Sequence, residues 1–152
     1  MEKIVVVGGN HGTRDLGRVM TEVVVADNAL HADDDCGKTF FLNVVTGCTV
    51  TLPAIADAKA GWMCRFVVKT DVTSNGYIIT EKTSADTNKV ITNGINELEV
   101  DTDDDGPSNT GHAKVTLVQN KAVAGDSLEF LCDGANWHCK GQTKVDGGAE
   151  LA

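Results

Sequence analysis

The sequence has few of the residues that interrupt or cross-link a chain. Its 152 residues include two prolines, and its five cysteines contain no C-x-x-C pair. An odd set of thiols without that spacing favours reduced core cysteines in a protein made in a reducing cytoplasm. The chain also has no apolar run as long as a membrane span, and its N-terminus lacks the basic start and apolar core of a secretion signal. We therefore predict no membrane partner.

A basic surplus is missing as well. The formal net charge is −9, whereas a nucleic-acid-binding surface needs lysine and arginine to displace counterions from phosphates. The composition, 41% hydrophobic and 23% charged, is that of a folded globular chain. The length suits one domain, so we predict a soluble domain with no nucleic-acid partner.

Aromatic residues are scarce, with four phenylalanines, two tryptophans and one tyrosine. Two of them lie in the clearest pattern of the chain, from Gly125 to Gly141. Inward and outward positions alternate before and after the turn Asp133-Gly134-Ala135-Asn136, which predicts a β-hairpin. Phe130 and Trp137 lie on its apolar face, and large aromatics bury the most area, so the core should form around them.

Similar alternation recurs from Lys38 onward, with weaker strands at Lys89–Ile91 and Leu98–Val100. Short strands separated by turn signals predict an all-β domain, a β-sandwich or jelly roll of about eight strands. Ala54–Ala60 fits one helical turn, and the sequence shows no internal repeat. The predicted core residues are apolar and lie at inward-facing positions of these strands. They are Phe40, Leu42, Val50, Leu52, Phe66, Val68, Phe130 and Trp137.

The N-terminal segment differs from the rest because residues 1–26 contain three basic and three acidic residues, so the remainder carries the whole charge of −9. A neutral, valine-rich segment in front of an acidic domain predicts an extended arm that pairs with a neighbouring sheet. We divide the chain into an arm (1–31), a sandwich domain (32–145) and a flexible tail (146–152). The arm residues predicted to form an interface are Val5, Val6, Val7, Val23, Val24 and Val25.

Motifs that carry chemistry are weak. Val5–Gly12 resembles a strand entering a phosphate loop but lacks the G-x-G-x-x-G spacing. His138 and Cys139 are adjacent on a strand and should face opposite ways, which argues against a shared zinc ion. We find no nucleophile with an adjacent base, and the four histidines fall in loops or at outward positions. The sequence therefore predicts no catalytic, cofactor or metal site and no enzyme.

Two acidic runs allow more than one interpretation. Asp101–Gly106 matches the first half of a calcium loop, but position twelve is His112 and no helices flank it. A solvated acidic loop is the favoured interpretation of Asp101–Asp105, with weak ion capture as the alternative. Asp33–Asp35 is interpreted as a solvated turn, with contact to a basic partner surface as its alternative.

Several of these stretches occur in an order that resembles a known family. Asp35–Leu42 and Thr49–Ala54 (the GKTF and TLPA runs) are followed by Gly61–Val68, Ser74–Ile79 and Gly125–Trp137. This order resembles the head decoration, or cement, proteins of tailed bacteriophages, over about Ala32 to Gly141. The arm has no counterpart in the resemblance.

The resemblance implies a β-sandwich or jelly-roll subunit that forms a homotrimer on the outer surface of an icosahedral head. There it would clamp neighbouring major capsid proteins, after assembly in the host cytoplasm. One alternative is a fibre or tail-tip module that recognises a host surface ligand, for which Trp62 is the candidate exposed aromatic. Another is a jelly-roll enzyme or ligand-binding domain, which would need polar inward positions that the strands lack.

Overall fold

The computed structural model describes residues 5–8, 11–15, 20–82, 88–98 and 108–152, and the side chains of 20–82, 88–98 and 110–152. The elements in chain order are β1 (Val5–Gly8), β2 (His11–Asp15), β3 (Thr21–Val24), β4 (Asn28–Ala29), β5 (Thr39–Leu42), β6 (Cys48–Thr51), α1 (Ile55–Ala58), β7 (Met63–Val68), β8 (Tyr77–Thr80), β9 (Val90–Glu97), β10 (Ser108–His112), β11 (Lys114–Leu117), β12 (Ser127–Cys132), β13 (Trp137–Thr143) and β14 (Ala149–Leu151).

The domain consists of two sheets, one of seven strands in the order β10-β9-β13-β12-β7-β5-β3 and one of five in the order β14-β11-β8-β6-β4. The predicted all-β sandwich is confirmed, with more strands than the expected eight. The jelly-roll assignment is not confirmed. Parallel pairs β3–β5, β5–β7, β4–β6, β6–β8 and β9–β13 mix with the antiparallel ones.

The first part of the domain is wound as a coil, by which we mean Thr21–Thr80. Each successive strand of the coil lies in the other sheet, so that β3, β5 and β7 are parallel neighbours in one sheet and β4, β6 and β8 in the other. Thr21, Thr39 and Arg65 occupy equivalent positions in three successive turns. The coil is a structural repeat that the sequence did not reveal, because its connections differ in length and composition.

Stacked turns hold successive windings together. The turn after β5 lies against the turn before β8, where the Thr73 amide donates to the Val45 carbonyl at 2.8 Å and the Asn75 side chain donates to the Thr46 carbonyl at 3.2 Å. Gly47 has a φ of 79°, and a Cβ there would collide with the carbonyl oxygen of Gly76. This position therefore requires glycine for both its conformation and the close approach.

The second part of the domain adds antiparallel strands to the coil. The predicted hairpin is present as β12 and β13, and β12 pairs with β7. Instead of two weak strands at 89–91 and 98–100, one strand runs from Val90 to Glu97, while residues 99–100 lie outside the described ranges. A bulge at Gly94, with φ 106°, accommodates an Asn-Gly pair that suggests a turn.

The core lies between the sheets, and each of the eight predicted core residues exposes at most 1% of its surface. A ladder of rings links the two parts of the domain. Phe40 stacks on Phe66 with ring centroids 5.5 Å apart, and Phe66 meets Phe130 edge-on at 5.8 Å. Phe66 therefore connects the coil to the hairpin, where aromatic pairs add to the free energy gained by burial.

Both predicted domain limits need correction. Residues 21–24 and 28–29 form β3 and β4, which pair with β5 and β6, so the sandwich begins before residue 32. At the other end, β14 pairs with β11, so residues 149–151 are a strand of the sandwich and not a tail. β4 and β14 escaped prediction because two or three residues are too few to show alternation.

The ring ladder yields a prediction with a built-in comparison. Phe66→Ala should lower the free energy of unfolding by about 3–5 kcal/mol, because it removes a buried ring that contacts two others. Phe41→Ala deletes an identical side chain from a partly exposed position on the outside of the sheet. It should lower the free energy of unfolding by clearly less. Urea denaturation of both variants measures the difference, and equal losses would contradict the ladder's central place.

Candidate functional site

The six valines of the predicted arm lie in two different places. Val5–Val7 belong to β1, whose backbone pairs with β2 in a sheet of two strands. Val23 and Val25 are 44% and 67% exposed, whereas Val24 is 3% exposed. Because side chains alternate along β3, Val24 packs in the core of its own domain. The prediction of Val24 as an interface residue is therefore wrong.

β3 is the edge strand of the seven-stranded sheet. Its inner side bonds to β5, with the Thr39 amide donating to the Met20 carbonyl at 2.8 Å and the Asn43 amide donating to the Val24 carbonyl at 2.9 Å. In a parallel pair, successive residues direct their backbone groups to opposite sides. The amides and carbonyls of Thr21 and Val23 consequently point away from β5. Among the described strands, β3 pairs with β5 alone.

The outer face, by which we mean the solvent side of the seven-stranded sheet, carries apolar residues in two rows. In the first row Val23 is in register with Phe41, and Phe41 with Val67. In the second row Met63 is in register with Leu131. Directly opposed side chains on neighbouring strands lie about 5 Å apart, so each row presents continuous apolar surface.

A charged row separates the two apolar rows. It contains Arg65, Glu129 and Lys140, which follow one another in register on β7, β12 and β13. Lys140 lies 3.2 Å from Glu129, so this pair cancels and the row keeps about one positive charge. Met63 and Leu131, beyond this row, are 41% and 44% exposed. The outer face thus combines apolar rows with little net charge.

Sequence analysis did not identify the outer face. The signal lies in runs that are apolar at outward as well as inward positions, such as Phe40-Phe41-Leu42 and Phe66-Val67-Val68. Clean alternation would place polar residues at positions 41 and 67. The departure from alternation marks a sheet whose solvent side also carries apolar residues.

The acidic run 33–35 does not act as one unit. Asp35 is buried, accepts a hydrogen bond from the His31 amide at 2.7 Å and pairs with Lys38 at 2.7 Å. Lys38 also lies 3.3 Å from Glu22 on β3, and the hydrogen bond with Asp35 is the main reason that the pKa of Lys38 is raised. Only Asp33 and Asp34 face solvent, so three carboxylates are not available to a basic partner.

Those two carboxylates line an open groove of about 460 Å³ beside α1. Asp57 adds a third carboxylate, and Lys59 and Lys82 add two positive charges. The groove is therefore polar with mixed charge. Among its described lining residues there is no Trp, Tyr or Phe side chain on which a sugar ring could stack.

A second polar cluster lies at the tip of the β12–β13 hairpin. His138 Nε2 is 2.8 Å from an oxygen of Asp133, and its Nδ1 is 3.2 Å from the side-chain oxygen of Asn93 on β9. Asp133 also accepts hydrogen bonds from the amides of Ala135 and Asn136. The hydrogen bond with His138, followed by those two, lowers the pKa of Asp133. The cluster ties the hairpin turn to the neighbouring strand.

Metal-binding residues do not converge in the described part of the chain, where no group of three or more His, Cys, Asp or Glu side chains could hold an ion. Cys139 is fully buried, while His138 lies on the outer face, as expected from their adjacency. Burial raises the pKa of the Cys48 thiol to about 11, with a smaller contribution from Asp27. The Asp101–Asp105 loop lies outside the described residues.

Trp62 is not an exposed aromatic. It is 3% exposed, meets Trp137 edge-on with ring centroids 5.3 Å apart, and donates from its indole nitrogen to the Ala32 carbonyl at 2.9 Å. The candidate for stacking on a glycan is therefore a core residue. It escaped prediction because it lies just before β7 rather than within an alternating strand.

Fold and surface together define a two-sheet β-sandwich with an open edge strand and an apolar outer face. Within the described ranges, no helix is long and apolar enough to cross a membrane. Comparisons with protein-family models, curated protein sequences and solved structures give no significant match.

The hairpin-tip cluster predicts a dependence of stability on pH. Because the folded pKa of Asp133 lies below its ordinary value of 3.8, its stabilising contribution is complete above that value and is lost as the pH falls through the lower, folded pKa. The free-energy difference between the wild type and Asp133→Asn should therefore shrink as the pH falls from about 5 towards about 2. Denaturant unfolding across this range measures it.

His138→Gln provides the matched variant for this test, since it removes the largest cause of the lowered pKa and keeps the Asp133 carboxylate. It should weaken the acid dependence without abolishing it, because the two backbone amides remain. A difference between wild type and Asp133→Asn that is independent of pH down to about 2 would show that the carboxylate is not stabilised in the folded state.

Proposed function

We propose that this chain is a structural protein of a tailed-phage virion, a decoration subunit on the outer surface of the head. In this role it associates as a homotrimer and clamps neighbouring major capsid proteins. The observation that carries the proposal is the outer face, where apolar rows flank a nearly balanced charged row. The order of sequence stretches that resembles decoration proteins supports the same role.

The outer face suits a protein partner. Contiguous exposed apolar surface on a soluble domain marks an interaction site more often than a chance arrangement. Leu131 and Met63 pair across the neighbouring strands β12 and β7, and Arg65 supplies a cation of the kind that an interface uses for orientation. A rigid sheet loses little conformational entropy when another surface covers it, which favours binding.

The distribution of charge agrees with a partner that is protein rather than nucleic acid. Acidic side chains gather in the connecting loops, among them Asp33, Asp34, Asp71 and Asp146, and leave the outer face with about one positive charge. Acidic loops around a face with about one positive charge favour approach to a shell through that face. It needs no cofactor and no catalytic residue for this role.

The N-terminal hairpin supports the proposed arm in altered form. β1 and β2 belong to neither of the two large sheets. The proposed arm therefore comprises residues 1–15 and the connection that follows them up to β3. Removing residues 1–26 would also remove β3 and the buried Val24. An arm deletion must therefore stop before residue 20 if it is to leave the sandwich intact.

The fibre or tail-tip alternative has less support. Its candidate aromatic, Trp62, is buried, and the described lining of the polar groove beside α1 has no Trp, Tyr or Phe side chain. Glycan recognition commonly combines carboxylates with a stacking ring, and the groove offers only the carboxylates. Specific binding on a glycan array would favour this alternative over the decoration role.

The proposal is tested by locating the chain in purified virions and by binding it to heads assembled without it. Leu131→Lys and Met63→Lys should change stability by no more than about 0.5 kcal/mol, because both side chains are exposed, yet they should abolish co-sedimentation with heads. The decorated heads should also resist heating better than bare heads.

Ile78→Lys is the matched control, since Ile78 points outward from the middle of the five-stranded sheet between Thr49 and Thr116. It should bind heads as the wild type does. Absence of the chain from the head shell would overturn the proposal. If both outer-face variants decorate heads normally, the outer face is not the surface that binds the head.

A further inference from the structure

The coil ends at an edge that no described strand covers. β3 presents the backbone groups of Thr21 and Val23 to solvent, and it lacks three of the features with which natural edge strands avoid pairing. It contains no lysine, no proline and no bulge. Such an edge is a template for another strand.

Exposed apolar side chains are concentrated at this edge. Met20, Val23 and Val25 are 47%, 44% and 67% exposed, and together they account for three of the seven large hydrophobic residues exposed in the described chain. The only acidic side chain in the strand, Glu22, is engaged by Lys38 at 3.3 Å. The edge therefore offers hydrogen-bonding groups and apolar contact, and its one carboxylate is paired with a lysine.

The N-terminal strands β1 and β2 form a hairpin that further strand pairing would stabilise. β1 and β2 pair with each other, with Val5 opposite Asp15 and Val6 opposite Arg14, and form a separate sheet of two strands. An isolated two-stranded hairpin is at best marginally stable in water. Although β2 precedes β3 by only a few residues, the described chain does not pair them. Among the described strands, each copy thus has one hairpin that pairs with neither large sheet and one open edge.

We propose that the β1–β2 hairpin of one copy pairs with the β3 edge of a second copy. The pairing is head-to-tail, so that every subunit gives one hairpin and receives another, and such a contact generates a closed ring when the rotation between copies closes. Residues 1–26 have no net charge, which lets the hairpin approach a chain whose remainder carries −9. This inference deepens the proposed function and rests on it for its biological purpose.

The test measures self-association of the full-length chain without heads, so its outcome does not depend on whether the chain decorates them. Sedimentation velocity should show the wild type as an oligomer. Val23→Lys, which places a charge on the edge, and the triple substitution V5S/V6S/V7S, which weakens the hairpin strand, should each give the 16.0 kDa monomer.

An equimolar mixture of these two variants provides the decisive measurement. The Val23→Lys chain keeps its hairpin and the triple-serine chain keeps its edge, so the mixture should form a heterodimer although each variant alone is monomeric. Val45→Lys is the control, since Val45 is 51% exposed in the turn after β5, and it should associate as the wild type does. If Val23→Lys fails to fold by circular dichroism, Val25→Lys replaces it.

Three results would overturn the proposal. A monomeric wild type would show that the hairpin and the edge do not meet between copies. Undiminished association of the triple-serine variant would show that edges pair with each other instead. Two monomeric variants that stay monomeric when mixed would exclude the head-to-tail contact.

Discussion

From β3 to β8 the chain crosses from one sheet to the other after every strand. The inward side chains of all six strands must therefore fit into one shared core. Phe66 lies at the centre of this constraint, between Phe40 on the coil and Phe130 on the hairpin. Tyr77 reinforces it at a corner, where its hydroxyl accepts from the Val44 amide at 3.0 Å and donates to the Thr70 carbonyl at 2.8 Å. A small set of aromatics thus joins two differently built halves.

The coiled path of the chain also explains why the seven-stranded sheet has an open edge at β3. A parallel coil adds one strand per turn to each sheet, and its first turn necessarily lacks a neighbour on one side. Repeat architectures usually cover such an end with a polar cap, whereas this edge carries exposed valines, Val23 within β3 and Val25 just after it. The open edge is therefore a consequence of the topology, and its composition is what makes it suitable for a partner strand.

The interior and the surface of the domain differ in chemical character. Inside, Cys64 and Cys139 share the core with aromatic rings, and burial raises the pKa of both thiols, so they behave as small hydrophobic side chains rather than reactive groups. Outside, the apolar rows and the open edge are surfaces rather than clefts. Contact with other proteins is the common ground of the proposed decoration role and of the proposed hairpin exchange.

The sequence by itself determined the class of fold and the buried side of the main strands, since alternation with period two depends only on neighbours in the chain. It identified Phe130, Trp137 and the turn between their strands for this reason. Tertiary structure alone decided that strands separated by β4 and β6 become parallel neighbours, that Val24 turns inward and that β3 forms an edge. Pairing joins residues far apart in sequence, and its free energy comes from a core that exists only once both sheets have formed.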